Sequence, residues 1–220
     1  MILALSRFRH IAVEGPIGAG KTTLARRLAE HLGHELLLER PGDNPFLDRF
    51  YADMAGYALQ TQLFFLFQRQ KQLQQAAQPS MFSPALVSDF MFAKDALFAR
   101  LTLSDDEHRL YTQMYTQVAG QVAQPDLVVH LMAPPQALLA RVQRRGLAME
   151  QGIDLPYLSR LADAYAAFFA SYDGAPVFSV DTESFNPGES TADFDRLIDR
   201  LEAFEGRREF VAAPGGGTRL

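Results

Sequence analysis

The segment Gly15 to Thr22 reads GPIGAGKT and lies between an apolar run, His10 to Val13, and a helical stretch that opens at Thr23. Glycine, four residues, then Gly-Lys-Thr is the Walker A pattern, here in the strand-loop-helix setting that gives it meaning. The glycines let the backbone curl until its N–H groups face a polyphosphate. The helix that follows adds its positive end, and Lys21 supplies a mobile ammonium for the outer phosphates. Gly15, Pro16, Ile17, Gly18, Ala19, Gly20, Lys21, Thr22 and Thr23 are therefore expected to hold a nucleoside triphosphate, with the Thr22 hydroxyl offered to Mg²⁺. A plain glycine-rich turn does not call for the strand, the spacing and the Lys-Thr pair together.

Such a loop belongs at the edge of a parallel sheet, and the rest of the chain alternates accordingly. Short apolar runs predict strands at Phe8 to Glu14, Glu35 to Leu38, Ala85 to Ser88, Leu127 to Met132 and Val177 to Val180. Helical stretches fall between them, at Thr22 to Leu32, Leu59 to Ala77, Asp105 to Ala123, Pro134 to Arg145, Leu155 to Tyr172 and Asp193 to Phe204. The expected fold is α/β: a P-loop kinase fold with a five-stranded parallel sheet flanked by helices on both faces. With 220 residues, 48% of them hydrophobic, one domain over residues 1–206 accounts for the length, and residues 207–220 read as a flexible tail.

Composition removes several classes of function. The absence of cysteine excludes disulfides and thiolate metal sites, and a net charge of -5 argues against a nucleic-acid partner. No apolar run approaches a membrane span and no cleavage pattern follows the first residues, so a cytoplasmic protein is expected. Neither a guanine-reading motif nor a long insertion is evident, which favours a small-molecule kinase over a GTPase or a motor. Such an enzyme needs a carboxylate for the acceptor hydroxyl, a second carboxylate near Mg²⁺, and cations for the migrating phosphoryl group. Glu39 and Asp89 each close a predicted strand, where α/β proteins place their ligands. Glu39 suits the base and Asp89 the metal. Arg141, Arg144 and Arg145 end a helix at Gly146 and read as a lid over residues 141–150, able to fork hydrogen bonds to phosphate oxygens.

GPIGAGKTT, Glu39, NPFLDRFY from Asn44 to Tyr51, TQLFFLFQR from Thr61 to Arg69, and RVQRRGLAMEQGIDLPYL from Arg141 to Leu158 together resemble the deoxynucleoside kinases. The likeness runs from about Arg9 to Phe204, and its lid segment is similar to that of deoxycytidine and deoxyguanosine kinases. It implies that Glu39 takes the proton of the sugar 5′-hydroxyl, that Tyr51 and Glu150 hold the 3′-hydroxyl, and that Gln62 bonds the base edge. Arg69 would face the base from the same helix with Asp95 as its partner, an arrangement that suits adenine, cytosine or guanine and crowds the thymine methyl. Lys21, Arg141 and Arg145 would meet the phosphates, and a homodimer is expected.

Two positions depart from that pattern. Phe90 follows Asp89 where the family usually has an arginine against the catalytic carboxylate, and Leu147 replaces a further lid arginine. Lys94 and Arg144 are the nearest substitutes in sequence. Two rival functions stay open at this point: a nucleoside monophosphate kinase, and a nucleotide-binding sensor or scaffold with little turnover because of Phe90.

Overall fold

The computed structural model describes residues 4–77 and 85–212. Six strands form one sheet in which every neighbouring pair is parallel: β1 (His10–Glu14), β2 (Glu35–Leu37), β3 (Leu86–Ser88), β4 (Leu127–Met132), β5 (Val177–Asp181) and β6 (Arg208–Val211), in spatial order β2-β3-β1-β4-β5-β6. The five strands expected from sequence are all present, and β6 is a correction. It lies in the stretch read as a flexible tail, where Arg208 and Glu209 hide the strand signal; residues 213–220 fall outside the described part. The backbone of β6 pairs with β5, while Val211 is buried and Glu209 binds Arg200.

Burial on both faces explains the continuous apolar runs of the central strands. In β1 only His10 is less than fully buried, and in β4 only Met132. Eight α-helices cover the sheet among the described residues: α1 (Lys21–Leu32), α2 (Leu47–Ala52), α3 (Met54–Ala76), α4 (Lys94–Thr102), α5 (Asp105–Ala119), α6 (Pro135–Arg145), α7 (Leu155–Ser171) and α8 (Thr191–Ala203). Several of them start at a side-chain cap. Ser104 and Glu107 form a reciprocal capping box on α5, Asp154 accepts the Tyr157 N–H at 2.8 Å on α7, and Ser190 accepts from Asp193 on α8.

α3 decides the fate of two polar residues. Its buried positions, Ala58, Thr61, Gln62, Phe65, Leu66, Arg69, Gln72 and Leu73, recur at intervals of three and four, so Gln62 and Arg69 lie on the inward stripe and not among the solvated glutamines. The sheet changes direction around β1: the chain builds β2 and β3 on one side of it, then returns to β4 on the other. Ala12 of β1 and Leu37 of β2 both lie opposite Ser88 of β3, so Glu14, Glu39 and Asp89 leave the sheet at one edge, where the phosphate loop also begins. That switch point is where open parallel sheets bind ligands.

Candidate active site

The loop between β1 and α1 needs glycine at Gly15, Gly18 and Gly20, all at positive φ, and at Gly15 a Cβ would lie 2.4 Å from the Leu131 carbonyl oxygen. Gly20 caps α1 with φ 96° in open space, so only the backbone conformation demands it; Gly18, at φ 85°, would also drive a Cβ to 2.7 Å from the Leu138 carbonyl oxygen. Lys21 folds back over the loop, donating from Nζ to the carbonyls of Gly15 at 2.7 Å and Pro16 at 3.1 Å. Burial, together with the charge of Lys94, lowers its pKa to about 8.

Asp89 ties the loop to the strand ends. Its Oδ2 accepts from the Thr22 hydroxyl at 2.5 Å, while its Oδ1 accepts from the backbone N–H of Glu39 at 2.7 Å. The Glu39 carboxylate is then gripped from two sides. Arg69 donates Nε to Oε1 at 2.6 Å, and Lys94 donates Nζ to Oε2 at 3.0 Å. Burial alone would raise the Glu39 pKa, but these two cations and their hydrogen bonds overcome it and hold the carboxyl near 2. On its far side Arg69 donates to Asp95, which is fully buried; burial pushes Asp95 up to about 6 against the pull of Arg69 and Lys94.

A cleft of about 200 Å³ joins these groups. Gly18, Gly20, Lys21, Thr22 and Asp89 line one end, and Glu39, Tyr51, Gln62, Phe65, Arg69, Lys94, Phe98, Arg145 and Glu150 line the rest. The Tyr51 phenol is held well above its ordinary pKa by burial first, then by Tyr157 and the charge of Glu150. Glu150 accepts from Arg145 Nε at 3.1 Å, which pins the end of α6 to the short 3-10 turn Ala148–Glu150. A second cleft of about 170 Å³ shares Gly18, Gly20, Thr23 and Arg145 with the first and runs on past Ala19, Arg141, Thr182 and Pro187. Arg27 of α1 holds its rim, donating to the Pro187 carbonyl at 3.0 Å.

The sequence model of the deoxynucleoside kinases matches residues 11–204. The chain belongs to the deoxynucleoside kinase family. It is an ATP-dependent phosphotransferase whose acceptor is a nucleoside. Similar proteins include a deoxyguanosine kinase of Bacillus subtilis, 32% identical over 85% of this chain and 93% of that one, and a deoxyadenosine kinase of Dictyostelium discoideum, 33% identical over 83% and 76%. The fold is similar to that of the deoxyadenosine kinase from M. mycoides solved with bound dCTP, with a TM-score of 0.76 at 24% identity, covering 89% of this chain and all of that one.

Against that family background the structure gathers most of the residues singled out in sequence and separates a few. Arg141 lies in the second cleft, donating Nη1 to the Thr182 hydroxyl at 2.9 Å, and does not line the first. Asp95 sits behind Arg69, outside the cleft lining. Arg144, the other candidate substitute for the missing arginine, is largely exposed on the wall of the second cleft, where it meets Glu189 at 3.6 Å, and does not line the first. Leu147 is exposed.

Phe90 turns the other way. It is fully buried in an apolar cluster with Leu66, Leu73, Phe92, Ala99 and Tyr111, so its side chain leaves the cleft altogether. The cation against Glu39 comes one helix start later, from Lys94. Lys94 is itself held by Glu14, 3.8 Å away. Glu14 was not singled out in sequence. It is completely buried, and its oxygens accept from the Tyr165 hydroxyl at 2.9 Å, Gly15 N–H at 2.9 Å and Met91 N–H at 3.0 Å. A carboxylate closing an otherwise apolar central strand was the available signal, since such a group must find partners inside. Phe98, three residues after Asp95 on α4, also lines the cleft, with its ring edge-on to Tyr165.

Proposed function

We propose that this kinase transfers the γ-phosphate of ATP to the 5′-hydroxyl of a 2′-deoxyribonucleoside, preferring adenine, cytosine or guanine over thymine, and yields the 5′-monophosphate for nucleotide salvage. The observation that carries this is the single carboxylate of Asp89, which joins the phosphate-loop hydroxyl of Thr22 to the backbone of Glu39. The phosphate loop and the Glu39 carboxylate are thereby held relative to one another before either substrate arrives. Two clefts meeting over Gly18 and Gly20 suit a donor nucleotide on the Arg141 side and an acceptor nucleoside on the Glu39 side.

In this reading Glu39 receives the 5′-hydroxyl proton, Tyr51 and Glu150 hold the 3′-hydroxyl, and Gln62 and Arg69 read the base, with Asp95 holding Arg69 from behind. Lys21, Arg141 and Arg145 meet the phosphates. Thr22 and Asp89 would hold Mg²⁺, an ion that takes one or two protein oxygens beside phosphate oxygens and, when bound, neutralises charge on the transferring group. Their hydroxyl and carboxylate already share a hydrogen bond, and no larger metal-binding group exists among the described residues, which suits an ion carried in by the nucleotide.

The structure weighs on the rivals. A monophosphate acceptor needs spare cations at the acceptor end, whereas Arg69, Lys94 and Arg145 are each engaged by a carboxylate. The case for a non-catalytic sensor rested on Phe90, and Lys94 supplies a cation in place of the absent arginine. No helix among the described residues is long and apolar enough to cross a membrane, in keeping with a cytoplasmic setting. Phe67 of α3 and Leu110 of α5 are large apolar side chains left exposed, which supports a homodimer through those helices.

Incubating the protein with Mg-ATP and each deoxynucleoside, with chromatography of the products, tests the assignment. Monophosphates are expected from deoxyadenosine, deoxyguanosine or deoxycytidine and at most traces from thymidine. Product only from a monophosphate acceptor, or tight binding without product, would overturn it. A second expectation concerns Lys21. With its pKa near 8 in the free protein, Lys21 is charged below pH 8 and must recapture a proton on binding phosphate above it. ATP affinity should therefore fall above pH 8, by up to about tenfold per pH unit. Calorimetry between pH 6 and 10 reads this, and Lys21→Met should bind weakly with a flat profile.

A further inference from the structure

Gln62 lines the acceptor cleft, yet only one end of its amide is committed. Nε2 donates to the Thr102 hydroxyl at 3.2 Å, and Oε1 is buried without a partner. The orientation is set by Thr102. A hydroxyl has a single hydrogen, and that of Thr102 goes to the carbonyl of Phe98, 2.8 Å away and one turn earlier on α4. Its lone pairs alone face Gln62. The nitrogen end of the amide is held toward Thr102, and the buried oxygen end is left without a protein partner; turning the amide over would set oxygen against oxygen.

Nucleobases divide into two kinds by the order of groups along the edge such an amide can read. Adenine and cytosine carry an exocyclic amino donor beside a bare ring nitrogen. Guanine and thymine carry an exocyclic oxygen beside a ring N–H. A freely turning amide matches both orders, whereas a locked one pairs with one order and sets like against like with the other. We infer that Thr102 is a specificity-determining residue, which fixes the polarity of Gln62 and so sets this enzyme's choice between amino-type and oxo-type deoxynucleosides. The inference rests on the acceptor assigned above. It also supplies what overall similarity does not, since relatives named for guanine and for adenine deoxynucleosides are 32% and 33% identical to this chain.

The test compares wild type, Thr102→Val and Thr102→Ser with deoxyadenosine and deoxyguanosine, reading both kcat/KM and calorimetric dissociation constants. Wild type should prefer one nucleoside by at least about fivefold. Thr102→Val, which keeps the shape and loses the hydroxyl, should move that ratio toward one by about three- to tenfold, the worth of one hydrogen bond. Thr102→Ser should keep the wild-type ratio. Thr102→Ala takes the place of the valine variant should the latter not fold. A ratio unmoved by loss of the hydroxyl, a serine variant that shifts as far as valine, or a wild type without preference would each overturn the inference. The binding ratio reads the lock even without turnover, so its failure is distinct from failure of the proposed reaction, which shows as absence of monophosphate from wild type.

Discussion

Glu39→Gln is expected to lower turnover by about 10²- to 10⁴-fold, the usual worth of a positioned general base, while ATP binding is retained. The substitution keeps the shape of the side chain and removes its ability to take a proton. Neither neighbouring cation is stranded by it, because Arg69 keeps Asp95 and Lys94 keeps Glu14. The ATP-binding loop is built from backbone and Lys21, none of which touches the Glu39 side chain. Rapid-quench turnover and ATP titration separate the two effects, and unchanged turnover would remove Glu39 from the role of base. The pH profile sharpens the point. With the carboxyl held near 2, Glu39 is ionised at every pH where the protein would be assayed, so kcat/KM should show no acid limb from it between pH 5 and 7. So depressed a pKa makes Glu39 a weak base in the free enzyme. That is tolerable for phosphoryl transfer, whose loose transition state asks little of the nucleophile and much of positioning.

What was legible in the sequence follows the range of the forces involved. The phosphate loop and the central strands declare themselves locally, because glycine conformation and apolar runs are properties of consecutive residues. β6 does not, since a short edge strand with Arg208, Glu209 and a half-exposed Phe210 draws its stability from backbone bonds to β5 that leave no mark on side-chain pattern. Gln62 and Arg69 lie in a glutamine-rich stretch, and only the three- and four-residue spacing with Ala58, Leu66 and Leu73 marks the inward face. The cluster around Glu39 was half visible. The two carboxylates were found at strand ends, but the cations that hold Glu39 come from α3 and α4, so their meeting is a product of tertiary packing. Phe90 shows the converse: read beside Asp89 it looked like a damaged catalytic position, and its side chain in fact belongs to the core under α3 and α5.

Lys94→Met should cost about 10²- to 10³-fold in kcat, as does the loss of one preorganised group that stabilises charge in a transition state. Lys94 is 3% exposed and sits between two carboxylates, so it cannot be a solvated surface charge. Its ammonium holds Glu39 in place from the side opposite Arg69. It also lies close enough to the phosphate loop to lower the pKa of Lys21, which puts it within reach of negative charge developing in the cleft. The same substitution takes away the cation nearest Glu14, which keeps its hydrogen bonds from Tyr165, Gly15 and Met91, and breaking a buried pair from one side costs up to about 3–5 kcal/mol, so lost stability must be separated from lost catalysis. The double variant Glu14→Gln with Lys94→Met does this. Removing both charges should recover part of the melting temperature, while turnover stays as low as in Lys94→Met alone. Recovery of turnover along with stability would mean that Lys94 acts only as a support for the fold. Lys94→Arg should restore part of the rate, because the charge survives although the planar fork fits a site shaped for a compact ammonium less well.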